Sequence, residues 1–131
     1  MTGAPATVLV VDDSPENRYA IRRYLAAPEF DVLEAETGSE GLEMAARDPD
    51  LILLDVHLPD VAGDQVLKRL RADELTRAIP VIAVSADATE EQSRRMTALG
   101  AANYLTKPLT LNMVLGAVWD VLDRPLEAQS A

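Results

Sequence analysis

The stretch Leu51-Ile52-Leu53-Leu54-Asp55 constrains the fold more than any other part of this chain. A strand with one wet face would alternate, so four large apolar residues in a row read as a strand buried on both faces. The run stops on a carboxylate, and Pro59 four residues later ends any further strand pairing. Asp55 therefore belongs at the carboxyl end of a buried strand, where open α/β sheets place their ligands. Taken alone, Asp55 reads equally well as a solvated acid that merely follows a strand.

Similar runs recur along the chain. Val8-Leu9-Val10-Val11 ends on Asp12-Asp13, and Ile79-Pro80-Val81-Ile82-Ala83-Val84 ends on Ser85, with Pro80 tolerable only near a strand start. Ala102-Asn103-Tyr104-Leu105-Thr106 ends on Lys107-Pro108, while the shorter and more polar Asp31–Ala35 reads as a sheet edge. Between these runs the spacing predicts helices over 15–27, 38–47, 64–72, 89–99 and 110–122. Ser14 suits the cap and Pro15 the first position of the first helix. Its inner face is Ala20, Ile21, Tyr24 and Leu25, with Arg18, Arg22 and Arg23 turned mostly outward. The fourth helix has Thr89 and Gln92 placed as a capping box, Gly100 as its stop, and only Met96, Ala98 and Leu99 to anchor it. The last carries Leu111, Val114, Leu115, Val118 and Leu122 as one stripe, with Trp119 at its edge.

Five strands alternating with five helices imply parallel βαβ units in an α/β fold, a doubly wound sheet with helices on both faces. No repeat, linker or low-complexity run divides the chain. The expected organisation is one domain over 7–123, with tails at 1–6 and 124–131.

Composition narrows the function. At 131 residues and 48% apolar content the chain suits a single core, and no apolar stretch is long enough to span a membrane. The first residues lack the basic and apolar regions of a secretory signal, and there are no cysteines for disulfides or thiolate metal sites. Both features agree with a cytoplasmic protein. A net charge of −10 argues against binding a nucleic-acid backbone, so proteins or cations are the expected partners.

Four of the five strands end on a polar or reactive group: Asp12-Asp13, Asp55, Ser85 and Lys107. A parallel sheet brings these ends to one edge, which makes a site of them. Carboxylates crowded to 4 Å repel at roughly 4 kcal/mol per pair under a surface-like dielectric, so the three acids need a cation or raised pKa values. All-oxygen ligands without cysteine suit Mg²⁺. Lys107 can neutralise phosphate as a point charge, and the Ser85 hydroxyl can donate to it. A carboxylate nucleophile beside these groups is the equipment for forming an aspartyl phosphate.

Over residues 7–123 the sequence resembles the receiver domain of two-component response regulators. The matching pieces are Val10-Val11-Asp12-Asp13, Asp55 with Leu58-Pro59 and Gly63, Ser85-Ala86, and Tyr104-Leu105-Thr106-Lys107-Pro108. The resemblance implies a flavodoxin-like (βα)5 fold with strand order 2-1-3-4-5. It implies that Asp55 accepts phosphoryl from a sensor or hybrid histidine kinase, a histidine phosphotransfer protein or a small phosphodonor. Asp13 and Asp55 would ligate Mg²⁺, with Asp12 acting through water and His57 through its backbone carbonyl. Lys107 would contact the phosphoryl group across a cis Lys107–Pro108 bond, Ser85 would shift to bind it, and Tyr104 would turn inward as part of the switch. The side chains of His57 and Asp87 would tune the phosphoryl lifetime. Asn17-Arg18 resembles the pair found in receivers of hybrid kinases and phosphorelays, and a downstream protein would dock on residues 89–122. Such a domain signals, and catalyses only its own phosphorylation and dephosphorylation. With no output segment after residue 123, it reads as a stand-alone regulator, a relay intermediate or a receiver excised from a hybrid kinase, and Met1 favours an independent start.

Three rivals use related parts. A phosphatase of the haloacid dehalogenase type needs a second aspartate two residues after the nucleophile, where this chain has His57. A flavodoxin-like cofactor binder would offer hydroxyls and glycine after the first strand, not Asp12-Asp13. A docking module that is never phosphorylated would not need all of Asp12, Asp13, Asp55, Ser85 and Lys107.

Overall fold

The computed structural model describes residues 4–130, and side chains as far as residue 122. Its elements alternate throughout: β1 (Ala6–Val11), α1 (Pro15–Tyr24), β2 (Phe30–Ala35), α2 (Gly38–Ala45), β3 (Leu51–Asp55), α3 (Gly63–Ala72), β4 (Val81–Ser85), α4 (Glu90–Ala98), β5 (Asn103–Thr106) and α5 (Leu111–Ser130). The strands are parallel in the order β2-β1-β3-β4-β5, so β3 lies at the centre and β2 at one edge.

The apolar strand runs split their residues between two cores. Leu9, Val11, Ile52, Leu54, Val81 and Ala83 face α2, α3 and α4, where they meet Ala45, Leu67, Leu70 and Met96. The alternate residues Val8, Val10, Leu51, Leu53, Ile82 and Val84 face α1 and α5, against Ile21, Leu25, Val114, Val118 and Val121. Two covered faces are why these strands could not afford polar alternation.

Register positions the strand ends. Val11 pairs with Leu54, Asp55 with Val84, and Ser85 with Thr106. The residues that follow Val11 and Leu54 are Asp12 and Asp55, which therefore emerge side by side. Ser85 and Lys107 follow on the next two strands. The β3–α3 loop is fixed to α2 by Asp60, whose carboxylate accepts from the Gly38 and Ser39 amides at 2.8 and 3.1 Å and from Ser39 Oγ at 2.7 Å. These bonds, the hydroxyl first, hold the Asp60 carboxyl far below the ordinary range.

Several expectations need correction. Element ends lie within three residues of those expected, except that α5 continues to Ser130. Beyond the apolar stripe, Leu126, Glu127, Ala128 and Gln129 are strong helix formers. Residues 124–130 are thus helical rather than a loose tail. Ala6 pairs with Phe30 in β1 instead of belonging to the leading tail, while residues 1–3 and 131 of the expected tails lie outside the described residues. Ala98 is exposed, which leaves Met96 as the one buried anchor of α4. Leu111 opens α5 and is 46% exposed, because the first turn projects beyond the sheet. Trp119, by contrast, sits partly packed at the edge of the stripe as expected, with its ring centroid 5.1 Å from that of Phe30. Arg18 points inward, not outward, and bonds to Asp12 and Glu34.

Candidate functional site

Asp12 and Asp55 are each 3% exposed, and Asp13 beside them is open to solvent. One oxygen from each of these three carboxylates lies within 4.8 Å of the other two. Asp12 Oδ1 accepts from the Ser14 amide at 2.9 Å, and Oδ2 from Asn17 Nδ2 at 3.4 Å. Asp55 Oδ1 accepts from the His57 amide at 2.9 Å. Lys107 Nζ stands 3.1 Å from Asp55 Oδ2 and 3.6 Å from Asp12 Oδ2.

Burial raises the Asp12 carboxyl above its ordinary value, and the neighbouring Asp55 charge adds to this. The Ser14 amide, Lys107 and Asn17 oppose the rise without cancelling it. Three carboxylates against one ammonium leave negative charge uncompensated when all are ionised. That excess, an all-oxygen donor set and mutual spacing within one ion's reach make the cluster able to hold a hard divalent cation.

Ser85 is fully buried at the end of β4, between the strands that carry Asp55 and Lys107. Its Oγ accepts from the Asp87 amide at 3.0 Å and lies 3.3 Å from His57 Nε2. The backbone of the same loop is tied to β5: Tyr104 Oη donates to the Asp87 carbonyl at 2.5 Å. Asp87 Oδ1 accepts from both the amide and the hydroxyl of Thr89, which hold its carboxyl below the ordinary range. The Lys107 amide donates to the Ser85 carbonyl at 2.8 Å, and the Lys107–Pro108 peptide is cis.

A response regulator receiver domain model matches residues 8–118. The chain belongs to the response regulator receiver domain family. This receiver is similar to the polar-differentiation response regulator DivK of Brucella anthropi, with 36% identity over 82% of this chain and 88% of that one. It is equally similar, at 36%, to the protein PilH of Pseudomonas aeruginosa, over 89% of this chain and 98% of the relative. Among solved structures, a CheY-like response regulator receiver domain protein from Methanospirillum hungatei superposes with a TM-score of 0.84. It has 26% identity and covers 95% of this chain and 99% of that one.

Each residue singled out in the sequence has a definite place in this receiver. Asp12, Asp13, Asp55 and Lys107 form one cluster, with Ser85 at its flank. His57 extends its ring to Ser85, and Asp87 joins Ser85 to Tyr104. The inward turn of Arg18 is what sequence reading missed. Its signal was Glu34, a charge that follows Val32 on the strand face otherwise packed against α1 and α5 and so in need of a partner.

Proposed function

We propose that this receiver accepts a phosphoryl group on Asp55 and thereby alters a protein-binding surface. The observation that carries this reading is Lys107 Nζ at 3.1 Å from a buried Asp55 carboxylate that shares its pocket with Asp12 and Asp13. In the transfer, an Asp55 carboxylate oxygen forms a bond to phosphorus as the bond to the donor's nitrogen or oxygen breaks. The leaving group departs with that electron pair. Asp13 and Asp55 would hold Mg²⁺ directly, Asp12 through water, and His57 through its backbone carbonyl. When bound, the ion neutralises charge on the phosphoryl oxygens. Lys107 steadies one such oxygen as a point charge.

Ser85 donates to another once its hydroxyl leaves the present contacts with His57 and the Asp87 amide. Since the Asp87 carbonyl holds Tyr104 Oη, movement of that loop is felt at Tyr104. A state with Ser85 on the phosphoryl group and Tyr104 turned inward is then favoured over the unmodified arrangement. The side chains of His57, which reaches Ser85, and of Asp87, two residues beyond it, set how long the phosphoryl group survives. The donor is a sensor or hybrid histidine kinase or a histidine phosphotransfer protein of the cytoplasm. The downstream protein reads residues 89–122, where α4 is anchored by Met96.

Incubation with acetyl phosphate and Mg²⁺, followed by intact mass, tests the reading. One added phosphate is expected, absent in Asp55→Ala and absent after EDTA. A phosphate that persists in Asp55→Ala, or none in the wild type, overturns it.

A further inference from the structure

The side chain of Arg18 is only 12% exposed, against 49% for Arg22 one turn along α1. Arg18 Nη1 donates to the backbone carbonyl of Asp12 at 2.7 Å, and its Nε donates to Glu34 Oε1 on β2 at 3.0 Å. Arg22 Nη1 holds the other Glu34 oxygen at 2.5 Å. The donors of a guanidinium lie in one rigid plane, so two such contacts determine where the Asp12 carbonyl points. The Asp12 amide is held as well, by the Ala35 carbonyl at 3.0 Å. Both ends of the Asp12 backbone are thus tied to β2, one directly and one through Arg18 and Glu34.

The Asp12 carbonyl shares its planar peptide unit with the Asp13 amide, so holding it limits the direction in which Asp13 leaves the strand. Asp13 depends on this more than its neighbours do. The Asp12 carboxylate has Ser14, Asn17 and Lys107, and that of Asp55 has the His57 amide and Lys107. The Asp13 carboxylate makes no hydrogen bond or ion pair among the described residues, and it is exposed.

We infer that Arg18 is a positioning residue for the metal: by clamping the Asp12–Asp13 peptide to Glu34, it aims the Asp13 carboxylate at the cation. This rests on the acid cluster being the Mg²⁺ site. Residues that orient metal ligands commonly govern affinity by 10–100-fold.

The test is Mg²⁺ titration of the full chain by calorimetry, without phosphodonor, on wild type, Arg18→Ala, Arg18→Lys and Glu34→Gln. Arg18→Ala should raise the Kd by roughly 10-fold. Arg18→Lys, which keeps the charge but lacks the fork, should recover little, and Glu34→Gln should weaken binding in the same direction by less. The Mg²⁺ concentration giving half-maximal phosphorylation by acetyl phosphate should rise with the Kd, while the maximal rate changes less. Wild-type affinity in Arg18→Ala overturns the inference. So does full rescue by Arg18→Lys, which would make charge the cause, or a fallen maximal rate with unchanged half-saturation. If Arg18→Ala loses its wild-type circular dichroism, Arg18→Lys and Glu34→Gln decide by the same criteria. A wild type that binds no Mg²⁺ defeats the metal site itself, whereas a binding wild type with unaffected variants defeats only the role of Arg18.

Discussion

Lys107 Nζ lies 3.1 Å from Asp55 Oδ2, across 52 residues of sequence. It is the ammonium that both buried acids share, and it competes with any cation bound to them. Lys107→Ala should therefore tighten Mg²⁺ binding in calorimetry. It should also slow phosphorylation by acetyl phosphate roughly 10²-fold, the scale for loss of one donor aimed at developing charge. A joint fall of metal affinity and rate would instead make Lys107 a structural prop.

Asp12 supplies a pH dependence. Its folded-state pKa is raised by burial, while in the unfolded chain it returns to 3.8. Folding of the metal-free protein is then favoured with Asp12 protonated, and that advantage is lost as pH rises through the folded value. Asp12→Asn should raise the metal-free melting temperature at pH 7, and the gap to wild type should close toward pH 4. Saturating Mg²⁺, at 100 times its Kd, stabilises the wild type by about 2.7 kcal/mol, and Asp12→Asn should lose most of this. Thermal scans at several pH values, with and without Mg²⁺, check both signs.

The sheet was legible because β1, β3 and β4 are apolar runs that admit no wet face, and the site was legible because such strands end on acids, Ser85 and Lys107. Other features left no pattern to read. Arg71 bonds the carbonyls of Arg77, Ile79 and Gly100, and Asp60 bonds amides 21 and 22 residues earlier. Bonds from a side chain to distant backbone have no periodicity and no required partner type. Helical spacing turns the charges of the first helix mostly to the wet face, and it does not show that Arg18 finds a partner in Glu34 on the neighbouring strand. Leu111 fits the apolar stripe by spacing, yet sits a turn before the helix reaches the sheet.

Gly63 opens α3 where the chain passes close to the site. A Cβ built there would lie 2.5 Å from Val56 Cα and 2.7 Å from the Asp55 carbonyl oxygen. Both are backbone atoms, which cannot swing aside, and the Gly63 amide already donates to the Val56 carbonyl at 2.8 Å. Gly63→Ala should cost about 1–3 kcal/mol of stability through overpacking. Because the displaced backbone carries Asp55 and His57, Mg²⁺ binding should weaken as well. Urea unfolding and metal titration of the same preparation measure the two effects, and an unchanged urea midpoint would contradict the close contact.

Arg71 provides the contrasting case at the other end of the sheet. Its guanidinium donates to the Gly100 carbonyl at 2.9 and 3.3 Å, to Ile79 at 2.9 Å and to Arg77 at 3.2 Å. It thereby joins α3 to the segments leading into β4 and β5. Burial lowers its pKa below the ordinary arginine value, the reverse of what a carboxylate partner would do, since all three acceptors are neutral carbonyls. Arg71→Ala leaves those carbonyls to water or unpaired, at a cost of about 2–3 kcal/mol after allowing for partial exposure. Arg71→Lys, with one compact donor group, should recover less than half of it. The carbonyls it serves precede the strands, while the acid cluster follows them, so the urea midpoint should fall with Mg²⁺ affinity unchanged. Weakened metal binding in folded Arg71→Ala would show that the two ends of the sheet are coupled, and that Gly63 acts through global stability rather than through contact with the Asp55 backbone.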